Sequence, residues 1–390
     1  MEKKKVHNME TDFFLDSYKE CRNAFISCGN QILYRFPHSK QREIKIHDSI
    51  GVIDTLFIRK KKKPSKRLIL LSSGVHGVEG FAGSAIQRKI MQEILYNQLI
   101  LDQDILILHG INPYGFQNKR RVNENNIDLN RNFFFKRENI PVKEKNKGYR
   151  KISSFFKPRF PFTFWALEFF IFALRFSGIM LRLGIRKFTD AAVNGQFEFK
   201  KGIYYGGKKP ETVVKRLRNF FKEHLPVYEE ILFLDFHTGY GEKNGLLLIQ
   251  NASLGSNEDS NIKKIASGLP VLRPDSNDTF YKTAGDFTDF LGRIFPDRKN
   301  IFPLTVELGT LGNLSFLGAL RSSFLIVAEN RIFHHGARFS YAENTVKEKF
   351  LRYFYPDSRA WRQTAMNKVM TVCKILFERF ENLENVDNGH

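Results

Sequence analysis

The stretch L-I-L-L-S-S-G-V-H-G-V-E-G, residues 68–80, decides the reading of this 390-residue chain. An apolar run of strand length ends in small residues and a glycine, then delivers His76 and Glu79 three positions apart. On a turn leading into a helix both side chains leave the same side and can converge on one cation. Alone, H-x-x-E is a weak signal, because the same pair also begins ordinary solvated helices.

Two further segments repeat the arrangement. An apolar run from Ile231 ends in D-F-H-T-G and places His237 just past a buried strand; a third, Ile301 to Val306, delivers Glu307 in T-V-E-L-G. In open α/β sheets, ligand and catalytic groups gather in the crevice at the carboxyl ends of the strands. His76, Glu79 and His237 then supply three ligands and leave a fourth position for water, as a catalytic rather than a structural zinc requires. Glu307 beside such a water is suited to take its proton and pass it to a leaving amine.

Between these segments lie N-P-Y-G-F at 112–116 and R-R-V-N-E-N-N-I-D-L-N-R-N-F at 120–133. In order, H-x-x-E, N-P-x-G, D-L-N-R-N-F, D-x-H-T and E-L-G resemble the carboxypeptidase A-like zinc metallopeptidases, whose relatives include aspartoacylase and succinylglutamate desuccinylase. The resemblance covers about residues 66 to 312. It implies an α/β fold with a mixed, largely parallel central sheet flanked by helices. It also implies Zn2+ on His76, Glu79 and His237, with Glu307 as general base and acid.

By the same resemblance Asn130 and Arg131 hold the substrate's terminal carboxylate, and Arg121 polarises the scissile carbonyl, with Arg120 its direct competitor. A guanidinium fork meets a carboxylate through two parallel hydrogen bonds, which lysine cannot reproduce. The segment Y-K-T-A-G-D-F-T-D-F, 281–290, resembles the family's mobile loop. That puts Tyr281 in the donor role over bound substrate and Thr288 where the C-terminal side chain is read. A small, neutral Thr288 argues against cleavage before Lys or Arg. The expected function is hydrolysis of an amide bond next to a free carboxylate, by a metallocarboxypeptidase acting on peptides. The alternatives are an aspartoacylase-like deacylase of N-acyl amino acids and a non-catalytic carboxylate-binding module.

One part departs from the family pattern. From Glu79 to His237 the gap is 158 residues, and the excess falls at about 136–200. Phe155 to Ile185 is rich in phenylalanine, and Glu168, Arg175, Arg182 and Arg186 recur at steps that share one narrow helical stripe. Such a helix is expected to bury most of its circumference, against the core, over the active site as a lid, or in a membrane interface. Glu168 interrupts the run, which speaks against a membrane span. The G-Q-F-E-F-K-K-G-I-Y-Y-G-G that follows, 195–207, is turn-rich and borders the cleft in this reading. The insert resembles that of a bacterial subfamily whose domain has no assigned function, so no substrate comes with the resemblance.

The expected organisation is one elaborated domain over 1–390, with its core at 66–135 and 200–312, a Phe-rich, partly helical insertion at 136–199, and C-terminal helices at 329–390. A hydrophobic content of 42% supports a large core. Met1 to Asp12 is charged and does not resemble a signal peptide, which makes a cytoplasmic location the expectation. Cys21, Cys28 and Cys373 form no C-x-x-C and suit reduced thiols rather than a disulfide framework. The net charge is +21, and Arg59 to Arg67 packs seven basic residues into nine, read as a solvated hairpin. No nucleic-acid-binding motif accompanies that charge, which leaves an anionic substrate or peripheral contact with an anionic membrane. His109 ends the Ile105–Leu108 strand and is read as a core histidine, and adjacent His334 and His335 make a poor metal pair. Oligomeric state is not legible.

Overall fold

The computed structural model describes residues 13–99, 101–135, 142–157, 159–251, 256–273, 285–296, 300–312 and 314–383. Met1 to Asp12 and Tyr281 lie outside them. The strands are β1 (Lys40–His47), β2 (Gly51–Ile58), β3 (Arg67–Ser73), β4 (Asp104–His109), β5 (Glu230–Thr238), β6 (Leu246–Ile249), β7 (Val271–Leu272) and β8 (Ile301–Leu308). They form one eight-stranded sheet in the order β1-β2-β4-β3-β5-β8-β6-β7. Its centre, β4-β3-β5-β8, is parallel, and antiparallel pairs join β1 to β2, β2 to β4 and β6 to β8. This is the mixed, largely parallel sheet that the sequence implies.

The helices are α1 (Tyr18–Arg35), α2 (Gly80–Leu95), α3 (Pro113–Gln117), α4 (Val142–Phe156), α5 (Trp165–Val193) and α6 (Thr212–His224). They continue with α7 (Ser256–Ile265), α8 (Phe287–Ile294), α9 (Phe316–His335), α10 (Ser340–Phe354) and α11 (Arg359–Glu381). Alternate residues of each central strand feed opposite faces of the sheet. Ile69 and Leu71 of β3 pack with α1, α2 and α11, whereas Leu68 and Leu70 pack with α6 and α8. Covered on both faces, β5 is buried at every position, which explains its near-continuous apolar reading.

Three sequence expectations change. Arg59 to Arg67 is not a hairpin, because β4 lies between β2 and β3 and takes the hydrogen bonds of both. Lys60 to Lys63 are exposed, but the terminal arginines are not simply solvated. Arg59 pairs with Asp104 at 2.9 Å, and Arg67 pairs with Glu230 and reaches the carbonyls of Glu381 and Leu383. The C-terminal helical region starts at Phe316, so residue 329 falls inside α9. The phenylalanine-rich run divides, with Phe155 and Phe156 ending α4 and α5 beginning at Trp165. Together with α9 and the start of α10 these helices enclose a third core, in which Phe324 meets Trp165, Phe169 and Phe172 at ring separations of 4.9 to 5.3 Å.

At the carboxyl end of β3 the chain makes a tight turn whose backbone is pinned to Arg120 and Arg121. Gly77 N–H donates to the Arg121 carbonyl at 3.2 Å and Val78 N–H to that of Arg120 at 2.8 Å. The N-P-Y-G sequence builds the other wall: Asn112 caps α3 by accepting from Gly115 N–H at 2.9 Å, with Pro113 in the first turn. The two walls touch at Gly77, where a Cβ would lie 2.1 Å from the Gly115 carbonyl carbon. Gly77→Ala must therefore force backbone apart. It is expected to destabilise the fold by at least about 1–3 kcal/mol, read as a lower urea midpoint than for the exposed Lys61→Ala control.

Candidate metal centre and active site

Parallel pairing assembles the site. β5 and β8 pair in a register that sets His237 directly opposite Glu307, and β3 pairs with β5 so that Ser73 meets Phe236. The turn after β3 then carries His76 and Glu79 over the same strand ends, on a single 3-10 turn spanning Gly77–Glu79. The ligating atoms of His76, Glu79 and His237 lie within 4.8 Å of one another, and all three residues are buried.

Both imidazoles present Nδ1 to Glu79: His76 Nδ1 lies 2.8 Å from Oε1, and His237 Nδ1 lies 2.9 Å from Oε2. Each Nε2 faces a second carboxylate, His76 to Asp128 at 3.1 Å and His237 to Asp235 at 2.6 Å. A carboxylate at Nε2 holds the proton there and leaves Nδ1 free to ligate, the usual device behind a metal-binding histidine. Asp235 is itself fixed by the Ser72 hydroxyl at 2.6 Å.

Whether these residues fit a cation can be tested on His76 Nδ1. It is buried and, although 2.8 Å from Glu79 Oε1, makes no well-aligned hydrogen bond among the described residues. A buried nitrogen in that condition is costly unless something else satisfies it. Two imidazole nitrogens and a carboxylate aimed at one point meet the demand of a borderline divalent cation, and the donor set fits.

The electrostatics agree. Burial opposes ionisation of Glu79, but His76 and His237 outweigh it and hold the carboxyl below its ordinary range. Burial likewise works against Asp128, yet Arg121, His76 and Arg131 keep it well below that range. His237 goes the other way, since Asp235 and Glu79 overcome its desolvation and raise it well above an ordinary histidine. Glu307 is pushed up to about 8 by burial and by the charge of Glu79. Its Oε1 accepts from the Tyr240 N–H at 2.8 Å, which aims the carboxyl from the turn after β5.

The competing arginines separate clearly. Arg121 turns into the site, with Nη1 3.4 Å from Glu79 and Nε 3.4 Å from Asp128. Arg120 points away, pairing with Glu329 at 2.6 Å and lying 3.4 Å over the Phe333 ring. Asn130 spends its carbonyl oxygen on the Phe287 N–H at 2.9 Å, which turns the amide nitrogen toward other partners. Arg131 is buried, and its side chain runs against Gly195, where a Cβ would lie 2.8 Å away. Thr288 occupies the first turn of α8, its hydroxyl bonded to the capping Asp286 at 2.5 Å. His109 is a core residue, stacked on Phe25 at 4.5 Å and bonded to Ser84.

Sequence reasoning missed Asp128 and Asp235 as partners of the histidines, although both stand inside the quoted D-L-N-R and D-x-H motifs. It also missed Tyr204. The insert's returning end is stitched to the site segment, with Asp128 N–H donating to the Tyr205 carbonyl at 2.8 Å and Asn132 Nδ2 to the Gly206 carbonyl at 2.7 Å. Tyr204 sits there in a left-handed conformation, φ 56°, which a bulky side chain rarely adopts. Its half-buried ring lies 5.6 Å from the Arg121 guanidinium carbon. Burial pushes the phenol pKa up, while Arg121 and Arg131 pull it back.

Three solved structures are among those similar to this chain. Thrombin-activatable fibrinolysis inhibitor is 13% identical, with a TM-score of 0.50 over 91% of this chain and 78% of that one. The bovine form in complex with tick carboxypeptidase inhibitor is 16% identical, with a TM-score of 0.49 over 86% and 99%. Carboxypeptidase A from Helicoverpa armigera is 15% identical, with a TM-score of 0.48 over 89% and 76%. At 13% identity the likeness to the first of these speaks to the fold alone. No curated protein matches the sequence. The model of a family described as "Protein of unknown function (DUF2817)" matches residues 14–368, nearly the whole chain, and the protein belongs to that family.

Proposed function

We propose that this protein is a zinc-dependent hydrolase that cleaves an amide bond next to a free carboxylate, acting as a metallocarboxypeptidase. The observation that carries the reading is the register that sets Glu307 beside His237, on the strand next to the His76–Glu79–His237 donors. Zinc held by those donors supplies a Lewis acid for the scissile carbonyl and a water of lowered pKa.

The chain's own residues do the rest. Glu307, aimed by the Tyr240 N–H, takes a proton from the attacking water and returns it to the leaving amine. Arg121, held near Glu79 and Asp128, donates to the carbonyl oxygen as negative charge develops there. Arg131 and the amide nitrogen of Asn130 receive the substrate carboxylate and fix which bond reaches Glu307. Tyr204, beside Arg121, offers a hydroxyl from the fixed end of the insert. A second reading, deacylation of N-acyl amino acids, draws on one feature: the chain at Gly195 packs closely on the Arg131 side chain, which favours a small substrate over a polypeptide.

Five measurements test this reading. Titration with zinc should show one site per chain that is lost in His76→Ala, and saturating zinc should raise the melting temperature, since about 100-fold excess over Kd adds about 2.7 kcal/mol. Glu307→Gln should retain zinc yet lose roughly 100- to 10,000-fold in kcat; turnover at the wild-type level would refute the mechanism. Arg131→Lys should raise KM by roughly 10- to 100-fold on substrates with a free carboxylate and spare their amidated counterparts. Tyr204→Phe should lower kcat roughly two- to tenfold with KM little changed. Mass spectrometry of a pool of peptides and N-acyl amino acids separates the readings, because a carboxypeptidase releases single C-terminal residues and a deacylase leaves peptides intact.

A further inference from the structure

Helix α5 is apolar on both of its faces, and only one of them is covered. Phe172 and Phe176 face the third core and are buried against α4 and α9. On the opposite side Leu167, Phe170, Ile171, Leu174 and Leu181 stand 43% to 89% exposed. At about 100° per residue these positions, with Gly178 among them, fall within an arc of about 100°. Within the described chain only one side of the helix is buried, so burial round most of its circumference needs a further contact. An apolar face of this extent, continuous along a helix, marks a contact surface.

The charge around this face identifies what covers it. Arg175 and Arg182 are exposed on its shoulder, and Lys187 follows the break at Gly184, where φ is 76°. Among the described side chains of α5 the only acid is Glu168, and it is turned inward to Arg331 at 2.7 Å. Lys147 and Lys151 are exposed on α4, which packs beside α5, while Arg150 between them pairs with Glu198 at 2.8 Å. No helix among the described residues is long and apolar enough to cross a membrane.

We infer that the outer face of α5 docks on the surface of an anionic lipid bilayer. Leucine and phenylalanine side chains enter the boundary between headgroups and acyl chains while the flanking arginines and lysines meet lipid phosphates. The helix lies in the plane of the surface rather than across it. A protein of net charge +21 is drawn to such a surface before any apolar contact forms.

Cosedimentation of the full chain with vesicles tests this, using phosphatidylcholine alone and phosphatidylcholine mixed with phosphatidylserine. Wild type should bind the mixed vesicles, bind the neutral ones more weakly, and release as salt rises. Leu174→Ser with Leu181→Ser should weaken binding roughly a hundredfold. The pair should leave the unfolding midpoint unchanged, since neither side chain is in the core. Arg175→Glu with Arg182→Glu should remove the preference for phosphatidylserine. Equal binding by wild type and the leucine variant would overturn the inference, as would absence of binding by wild type. Binding lost only when Lys60 to Lys63 are replaced by serine would move the contact to the lysine turn and overturn it as well. A dimer in sedimentation equilibrium that the leucine variant dissolves would assign the face to a second copy of the chain instead.

Discussion

Glu79, a carboxylate buried between two imidazoles, is the group that the surrounding structure is arranged to hold. Its oxygens lie 2.8 and 2.9 Å from Nδ1 of His76 and His237, and Oε2 also accepts from the Thr238 N–H at 3.1 Å. Asp128, Asp235 and Glu307 are buried around it, so four carboxyl groups share a region largely closed to water. Burying that many acids is costly unless each is paired or a cation gathers them. Arg121 answers part of the charge from one side, and the donor geometry answers the rest by offering a metal its ligands.

Rigidity around that cluster comes from the sheet and from elements far along the chain. The two strands that carry His237 and Glu307 are fully buried on both faces, so their register cannot slip without exposing apolar rows. C-terminal residues lock the loops at the strand ends. Thr238 Oγ1 donates to the Phe354 carbonyl at 2.7 Å, Tyr353 donates to Gly239 and Trp361 donates to Gly309. The helices after Phe316 thus act on the site as well as covering the sheet.

The insertion joins a second layer to this frame. Its helices α4 and α5 form a phenylalanine core with α9, and α9 in turn receives Arg120 through Glu329 and Phe333. Its returning end closes on Arg131 and brings Tyr204 to Arg121. The same stretch of chain therefore meets the candidate site at one end and carries the exposed apolar helix face at the other.

Much of the fold was legible because buried parallel strands are written as continuous apolar runs. The runs at 68–71, 231–236 and 301–306 each end at a residue with ligand or base chemistry. The order of motifs then singled out Asn130 and Arg131 as candidates. Spacing could not say which of Arg120 and Arg121 enters the site, because neighbours in an irregular loop follow no fixed period. In the folded chain Glu329 on α9, 209 residues away, claims Arg120. The turn from Arg59 to Arg67 misled because β2 and β3 adjoin in sequence while β4 separates them in space. The chain by itself determined the apolar strands, the chemical groups at their ends and the helical insert. The tertiary structure decided their register, the nitrogen each imidazole turns inward and the face of α5 left uncovered, because these depend on contacts between residues far apart in sequence.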